Sequence, residues 1–518
     1  MLQINKLRLI HDKDFRVLID GLTFAVNPGD KIVVIGEEGE GKSTLLKWIY
    51  DPKLIEEYAA AEGTRSASGE KIAYLSQELP AGARPLTVYE FMMEEPLFIE
   101  MNPAEIARMT REVGLAPDIL YSDQRMDTLS GGEKVKVQIA RLLASRPSIL
   151  LLDEPSNDID IDTLEWLESF INKSGMGILF VSHDETLIEK TANRVIHIEQ
   201  LYHKTMPRHT VANMPYRQYV NERLHGFELQ EAQAKMEKRH QRIAEEKWRR
   251  IYQKVEHEQN TITRADPSTG RLLKKKMHAV KSQGRRLEKQ KENMTDLPHF
   301  EQEINLMFDY EVQIPKGKTL LTLEIPELSV EQADGLKVLS RDIRLGIRGN
   351  DKVCIIGKNG AGKTTLLKRI GEELSKRGDI NYAYMPQNYE DLLDPDKTPE
   401  EFIARTGSKE ERVIINNRLA SLRFTPDDMA RRTRELSGGQ KAKLLLLSLT
   451  LSGAEILLLD EPTRNFSPLS GPVIRGILRD FSGAIISVSH DRKYIDEVPD
   501  RVYELTREGL ILYRADRM

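Results

Sequence analysis

Three short motifs occur twice in this chain, and each pair is the same distance apart. Leu129-Ser130-Gly131-Gly132-Glu133 returns as Leu436-Ser437-Gly438-Gly439-Gln440, 307 positions on. Ile149-Leu150-Leu151-Leu152-Asp153-Glu154-Pro155 returns as Ile456-Leu457-Leu458-Leu459-Asp460-Glu461-Pro462, and Val181-Ser182-His183-Asp184 as Val488-Ser489-His490-Asp491, both again by 307. A constant offset across three motifs identifies a tandem duplication. The chain's 518 residues are enough for each copy to bury its own core.

A fourth pair says what the copies hold. Gly36-Glu37-Glu38-Gly39-Glu40-Gly41-Lys42-Ser43 and Gly357-Lys358-Asn359-Gly360-Ala361-Gly362-Lys363-Thr364 both fit the phosphate-binding P-loop pattern. Each follows an apolar strand (Lys31-Ile32-Val33-Val34-Ile35; Val353-Cys354-Ile355-Ile356) and opens a helix, which is the context the pattern needs. Glycines let backbone N–H groups wrap phosphates at a helix N-terminus. Lys42 and Lys363 then reach the outer phosphates, and Ser43 and Thr364 supply hydroxyls to Mg²⁺. Asp153 and Asp460 end apolar strands, which holds a carboxylate near the metal. Glu154 and Glu461 come next in sequence and suit the general base that polarises an attacking water. His183 and His490 follow another apolar strand and can meet the last phosphate, and Gln77 and Gln387 offer a neutral oxygen to metal or water. Phe15, upstream of the first P-loop, is a candidate for stacking on a base. The second copy has no aromatic counterpart.

Between the copies the composition changes. From Glu231 to Asp296 there are 18 Lys/Arg against 10 Asp/Glu, a net of +8, while the whole chain is −5 and the remainder therefore −13. So local an asymmetry points to a polyanionic partner. Its densest part holds Arg264, Arg271, Lys274, Lys275, Lys276, Lys281, Arg285 and Arg286, and carries almost no acidic residues. Ala244, Trp248, Ile251, Val255 and Ile262 follow a heptad spacing, and so do Leu273, Met277, Val280, Gly284, Leu287 and Met294. Two helices packed as an antiparallel coiled coil are expected, with the turn at Thr263–Gly270 and Asp266-Pro267 starting the second helix. The arm from Leu224 to Ile262 would reach roughly 55 to 60 Å.

The single cysteine, Cys354, excludes an intrachain disulfide and fits a reducing compartment. Its apolar neighbours suit a buried strand. The N-terminus lacks signal-peptide anatomy, and the richest apolar run, Leu444 to Leu459, is broken by Ser448, Thr450, Ser452, Gly453 and Glu455. A soluble, cytoplasmic protein with no membrane contact is expected.

At these motifs the chain resembles the ATP-binding-cassette (ABC) ATPases. Two cassettes in one chain, no membrane span and a charged helical linker resemble the ABC-F group, whose members act on the ribosome. The resemblance implies an α/β fold, with two P-loop ABC ATPase domains (1–205 and 301–518) joined by an antiparallel α-helical coiled-coil linker (206–300, tip near 263–270). Each cassette would hold a P-loop core sheet, an antiparallel lobe near its start and a helical lobe before the LSGG motif. In that family the cassettes close head to tail, so a monomer carries two ATP sites with Mg²⁺. One site would use Gly36, Gly39, Gly41, Lys42, Ser43, Thr44, Gln77, Asp153, Glu154 and His183, completed by Ser437, Gly438 and Gly439. The other would use Gly357, Asn359, Gly360, Gly362, Lys363, Thr364, Thr365, Gln387, Asp460, Glu461 and His490, completed by Ser130, Gly131 and Gly132. Metal ligands would be Ser43, Gln77 and Asp153 in one, and Thr364, Gln387 and Asp460 in the other.

The first copy departs from the pattern at its P-loop. Glu37, Glu38 and Glu40 would oppose a triphosphate unless they point away from it. The second departs after Glu-Pro, where Thr463-Arg464-Asn465-Phe466-Ser467-Pro468 replaces the usual Thr-Asn-His-Leu-Asp, and the first reads Ser156-Asn157-Asp158-Ile159-Asp160. Unequal rates at the two sites are expected. The run Thr463–Ser470 resembles that of the antibiotic-resistance subgroup, whose linker enters the ribosomal exit-tRNA site beside the P-site tRNA, extends towards the peptidyl-transferase centre and displaces drugs. With 51 positions between Gln77 and Leu129 and 28 after His490, a short inserted arm and no long C-terminal extension are expected. Ribosome protection is the expected function. Its rivals are a housekeeping translation factor on stalled or initiating ribosomes, a transporter motor, and a DNA-repair ATPase.

Overall fold

The computed structural model describes all residues except 68, 158, 202–205, 262–266, 293–307, 309–313, 316, 333–334, 423 and 515–518. The chain divides into two compact units: Met1–Tyr216 with Gln302–Met518, and Arg217–Glu301.

The two copies build the same six-stranded sheet. In the first, the order is Ile72–Leu75, Ile149–Asp153, Gly177–Val181, Lys31–Ile35, Arg194–Gln200 and Met206–Ala212. In the second it is Tyr382–Met385, Ile456–Asp460, Ala484–Val488, Lys352–Ile356, Arg501–Thr506 and Gly509–Arg514. Five strands run parallel in each and the last is antiparallel. Central strands such as Ile149–Asp153 and Ile456–Asp460 are buried at every position, as expected of a parallel sheet covered on both faces. Cys354 lies in one of them, fully buried, and burial pushes its thiol up to about 12.

An antiparallel lobe precedes each core. The first has three strands, with Leu2–His11 between Val17–Val26 and Ala59–Ser66; the second is the ribbon Thr319–Gln332 with Gly335–Arg348. Short helices precede each LSGG motif: Val88–Met93, Pro96–Glu100 and Pro103–Val113 in one copy, Pro399–Ile403, Lys409–Ser421 and Pro426–Ala430 in the other. Most begin on a side-chain cap from Thr, Asn or Ser, several followed by Pro, which fixes where each helix enters.

The second unit is a helical hairpin. Its helices span Tyr216–Thr261 and Pro267–Glu292, and the longer is about 69 Å at 1.5 Å per residue. Leu273, Met277, Val280 and Leu287 are buried, as their spacing requires. On the first arm the seam is corrected. Trp248 and Val255 pack inward as their spacing requires, but Ile251 is 45% exposed and Tyr252 packs inward in its place. The Trp248 indole takes the space: a Cβ on Gly284 would lie 2.9 Å from its ring, and its Nε1 donates to the Val280 carbonyl at 2.8 Å. That hydrogen bond and the one from Gln241 Nε2 to the Leu287 carbonyl fix the antiparallel register and turn Ile251 outward. Arg271, Lys274, Lys275, Lys276, Lys281, Arg285 and Arg286 are all exposed. Ile262, Arg264, Asp266 and Met294 lie outside the described residues.

Candidate nucleotide sites at the cassette interface

Each P-loop is set by a glycine that no other residue replaces without strain. Gly41 (φ 93°) and Gly362 (φ 98°) sit at the N-termini of the helices Lys42–Tyr50 and Lys363–Arg377. Lys42 Nζ spans its own loop, donating to the Gly36 and Glu37 carbonyls at 2.9 Å each. Lys363 does the same to Gly357 and Lys358, at 2.8 and 3.0 Å.

Glu154 and Glu461 share an unusual backbone. Their φ values, 51° and 54°, are left-handed, a strained conformation for glutamate that needs support from its surroundings. The Glu154 N–H donates to the Val181 carbonyl and the Glu461 N–H to that of Val488, at 3.0 and 2.9 Å, tying each turn to the neighbouring strand.

Each signature helix begins on a serine. Ser130 and Ser437 form capping boxes with Glu133 and Gln440, leaving the N–H groups of the two following glycines to face outward. In the second cassette those N–H groups have a partner. Gly438 N–H donates to Glu38 Oε1 at 3.1 Å, and Gly439 N–H donates to Glu38 Oε2. The first P-loop therefore lies against the second cassette's signature helix, Gly438–Thr450. A Cβ on Gly439 would lie 2.9 Å from that carboxylate, so a larger residue there would push the Glu38 side chain aside.

Around the second P-loop is a cavity of about 1050 Å³. Gly360, Gly362, Lys363, Thr364, Thr365, Asn359, Gln387, Asp460, Glu461 and His490 line it from the second cassette, and Gly131, Gln77 and His183 from the first. Gln77, assigned by resemblance to the first site, thus also borders the space beside the second P-loop. Arg464 lines it too. Sequence reasoning passed over Arg464, although it stands where the first copy has Asn157. Val330 and Leu339 form an apolar wall, and Leu339 packs against Gly362. In the first copy Phe15 is 81% exposed rather than packed in the core, and the adjacent Arg16 guanidinium donates to the Gly39 carbonyl at 3.1 Å.

The donor sets differ in how far they are satisfied. In the first cassette Ser43 donates to Asp153 Oδ1 at 2.9 Å and Tyr74 to Oδ2 at 3.0 Å. His183 Nε2 is 3.0 Å from Glu154, and His183 Nδ1 is 2.6 Å from the Phe466 carbonyl of the other cassette. Burial opposes the charge on both partners, yet their attraction holds His183 above and Glu154 below its usual pKa. In the second cassette both Asp460 oxygens are buried without hydrogen-bond geometry, although the Thr364 hydroxyl stands beside them. His490 Nε2 is 3.9 Å from Glu461, and its Nδ1 has no partner. Burial, and then Lys363, draw His490 down to about 4, while burial and the adjacent Asp460 push Glu461 up to about 8.

Orphaned carboxylate oxygens beside a P-loop hydroxyl fit a hard cation with oxygen ligands. Thr364, Asp460 and Gln387 would hold Mg²⁺ here; Ser43, Asp153 and Gln77 are their first-cassette counterparts. Bound Mg²⁺ would neutralise phosphate charge and draw the Glu461 pKa down towards its basic form. Glu461 and His490 would then flank the place where a water is oriented, and Lys363 and the loop N–H groups would hold the phosphates.

Other contacts join the cassettes. Arg475, Arg492 and Lys493 of the second reach Glu185, Asp184 and Glu189 of the first at 2.9, 3.1 and 2.8 Å, and Arg492 also pairs with Glu168. Every cation comes from one side and every acid from the other.

Two P-loop cassettes whose signature helix and P-loop meet define a tandem-cassette ATPase. The family model described as ABC transporter matches residues 19–157 and 340–464, and the chain belongs to that family. Among relatives, it is 26% identical over 557 residues to ABC transporter F family member 5 of Arabidopsis thaliana, covering 97% of this chain and 75% of that protein. It is 28% identical to the ATP-binding protein Uup of Buchnera aphidicola (96% and 80% covered), and 27% to the probable ATP-binding protein YheS of Escherichia coli K12 (94% and 76%). The resemblance to ABC-F ATPases is borne out, and ATP hydrolysis is the activity. Among solved structures, the archaeal ribosome recycling factor aABCE1, in complex with ribosomal stalk protein aP1, superposes with a TM-score of 0.60 at 18% identity, covering 98% of this chain and 90% of that one. This likeness shows the fold. Among the described residues no helix is long and apolar enough to cross a membrane.

Proposed function

We propose that the protein is a cytoplasmic, monomeric ATP-driven clamp that binds the ribosome and presents its basic hairpin to rRNA and tRNA phosphates. In this reading ATP·Mg²⁺ bound between the cassettes, on the residues assigned above, holds them together. Loss of the last phosphate removes the contacts that close them, a two-state switch biased by nucleotide. The exposed Lys/Arg face of Pro267–Glu292 is the observation that carries the ribosomal reading. A row of exposed cations suits phosphate-dominated, salt-dependent binding recognised by shape. The F-family relatives and the neighbour described as a ribosome recycling factor support it. The transporter-motor alternative is not favoured, since such a motor has no use for this hairpin. The finer proposal is insertion through the exit-tRNA site, alongside P-site tRNA, towards the peptidyl-transferase centre, with antibiotic resistance by ribosome protection. It rests on the run Thr463–Ser470.

Sedimentation of a Glu154→Gln/Glu461→Gln protein with ribosomes and ATP tests the clamp. Co-pelleting is expected, and a protein left in the supernatant would end the ribosomal reading. Exchanging Thr263–Gly270 tests the finer part: unchanged drug tolerance would leave a housekeeping translation factor in its place.

A further inference from the structure

The acids of the first P-loop are not idle. Glu38 lays its carboxylate across the N–H groups of Gly438 and Gly439. Glu37 is clasped from three sides: Ser467 and Ser470 hydroxyls donate to its Oε1 at 2.9 Å each, and Lys443 Nζ lies 3.0 Å from its Oε2. Glu40 turns the other way, into its own cassette, and accepts from the N–H groups of Glu37 at 2.6 Å and Gln200 at 3.1 Å. An anion seated on a helix N-terminus and a carboxylate paired with lysine are each favourable. Here both anions belong to the chain itself.

The internal repeat shows that this arrangement is specific to one half. The P-loops are 321 positions apart, so Glu37, Glu38 and Glu40 answer to Lys358, Asn359 and Ala361. At the 307 offset, Ser467 answers to Asp160. An aspartate at 467 would set a second carboxylate against Glu37, whereas a serine hydroxyl donates to it. In the opposite half Asp160 stands near the Lys363 ammonium and the His490 imidazole. The acidic loop and the missing aspartate, 430 positions apart, are thus two halves of one contact. The ion pairs of Arg475, Arg492 and Lys493 add nucleotide-independent attraction between the same two cassettes.

We propose that the first composite site is a clasp that the chain closes with its own carboxylates, and that ATP works the clamp at the second site. This rests on the clamp reading above. A triphosphate entering the first P-loop must expel Glu38 from the signature helix and settle beside Glu37. The second P-loop, opening on its cavity, exacts no such displacement.

Equilibrium titration of the full chain with a fluorescent ATP analogue and Mg²⁺ tests this. Lys363→Ala disables the second site and is expected to weaken binding at least about thirtyfold. Adding Glu37→Lys/Glu38→Asn to that variant, which gives the first loop the second loop's residues, should recover at least about tenfold. Adding Ser467→Asp instead, which repels Glu37 from the opposite cassette, should recover binding in the same direction. A Lys363→Ala protein within about threefold of wild type, or no recovery with either addition, overturns the clasp. Failure of the clamp reading looks different, because the titrations would then run as expected while the Glu154→Gln/Glu461→Gln protein stayed in the supernatant with ribosomes and ATP.

Discussion

At one cassette interface glutamates reach across and find hydroxyls, a lysine and a helix N-terminus. At the other, a cavity of about 1050 Å³ separates a lysine-rich P-loop from its neighbours, with the Asp460 oxygens and His490 Nδ1 unpartnered. The two halves share sheet order, strand ends, capping boxes and the strained glutamate, yet Glu37 and Glu38 of the first P-loop find donors across the interface while both Asp460 oxygens beside the second P-loop do not. Duplication preserves a scaffold; a few side chains at the contact decide which copy still needs a ligand. Buried polar atoms without partners are costly, and a site that retains them is stabilised most by what it binds.

The largest effect should come from the paired general bases. Glu461→Gln is expected to lower steady-state phosphate release by about 100-fold or more, in the range of lost general-base catalysis, and Glu154→Gln by only about threefold. Equal losses would break the contrast. Next is the clasp lysine. Lys443→Ala strands the Glu37 carboxylate, which burial disfavours and Lys443 holds well below its ordinary range, so thermal or denaturant unfolding should lose about 2–3 kcal/mol. Its repeat counterpart Lys136, whose ammonium lies 5.2 Å from the Trp166 ring centre, should cost about 1 kcal/mol or less when replaced by alanine.

A pH dependence sharpens the comparison further. Burial, and then the Glu37 charge, push Glu40 up to about 7 from an ordinary 4.5. The folded state therefore holds that proton more tightly than the unfolded chain. Its contribution is complete below pH 4.5 and is lost as pH rises to about 7. Glu40→Gln should flatten this part of the stability profile by about 1–2 kcal/mol. The second cassette has Ala361 at that position, with no carboxyl to titrate there. The smallest effect belongs to the hairpin. Each of Lys274, Lys275 and Lys276 changed to Gln should reduce the log–log salt slope of ribosome binding by about one if that lysine meets a phosphate. Lys254, on the first arm, serves as the control.

Much of this molecule is written in contiguous sequence. The P-loops, the Asp-Glu pairs at strand ends and the serine-capped glycines each depend on neighbours a few residues away, so spacing and residue type suffice to place them. The second arm of the hairpin is of the same kind, since Leu273, Met277, Val280 and Leu287 recur with the helix. Its first arm is not. Ile251 has the right spacing, but the bulk of Trp248 against Gly284 rotates the seam, and spacing carries no information about side-chain volume across the pair.

The acidic P-loop lies beyond local reading for a stronger reason. Taken alone, Glu37, Glu38 and Glu40 oppose phosphate, and Ser467 is merely a lost aspartate. The sequence by itself determined two cassettes, their nucleotide chemistry and a basic hairpin between them. Only tertiary structure decided that Glu38 meets Gly439 and Glu37 meets Ser467, because a carboxylate's energy is set by the charges and donors within a few ångströms of it, and those come from residues some 400 positions away.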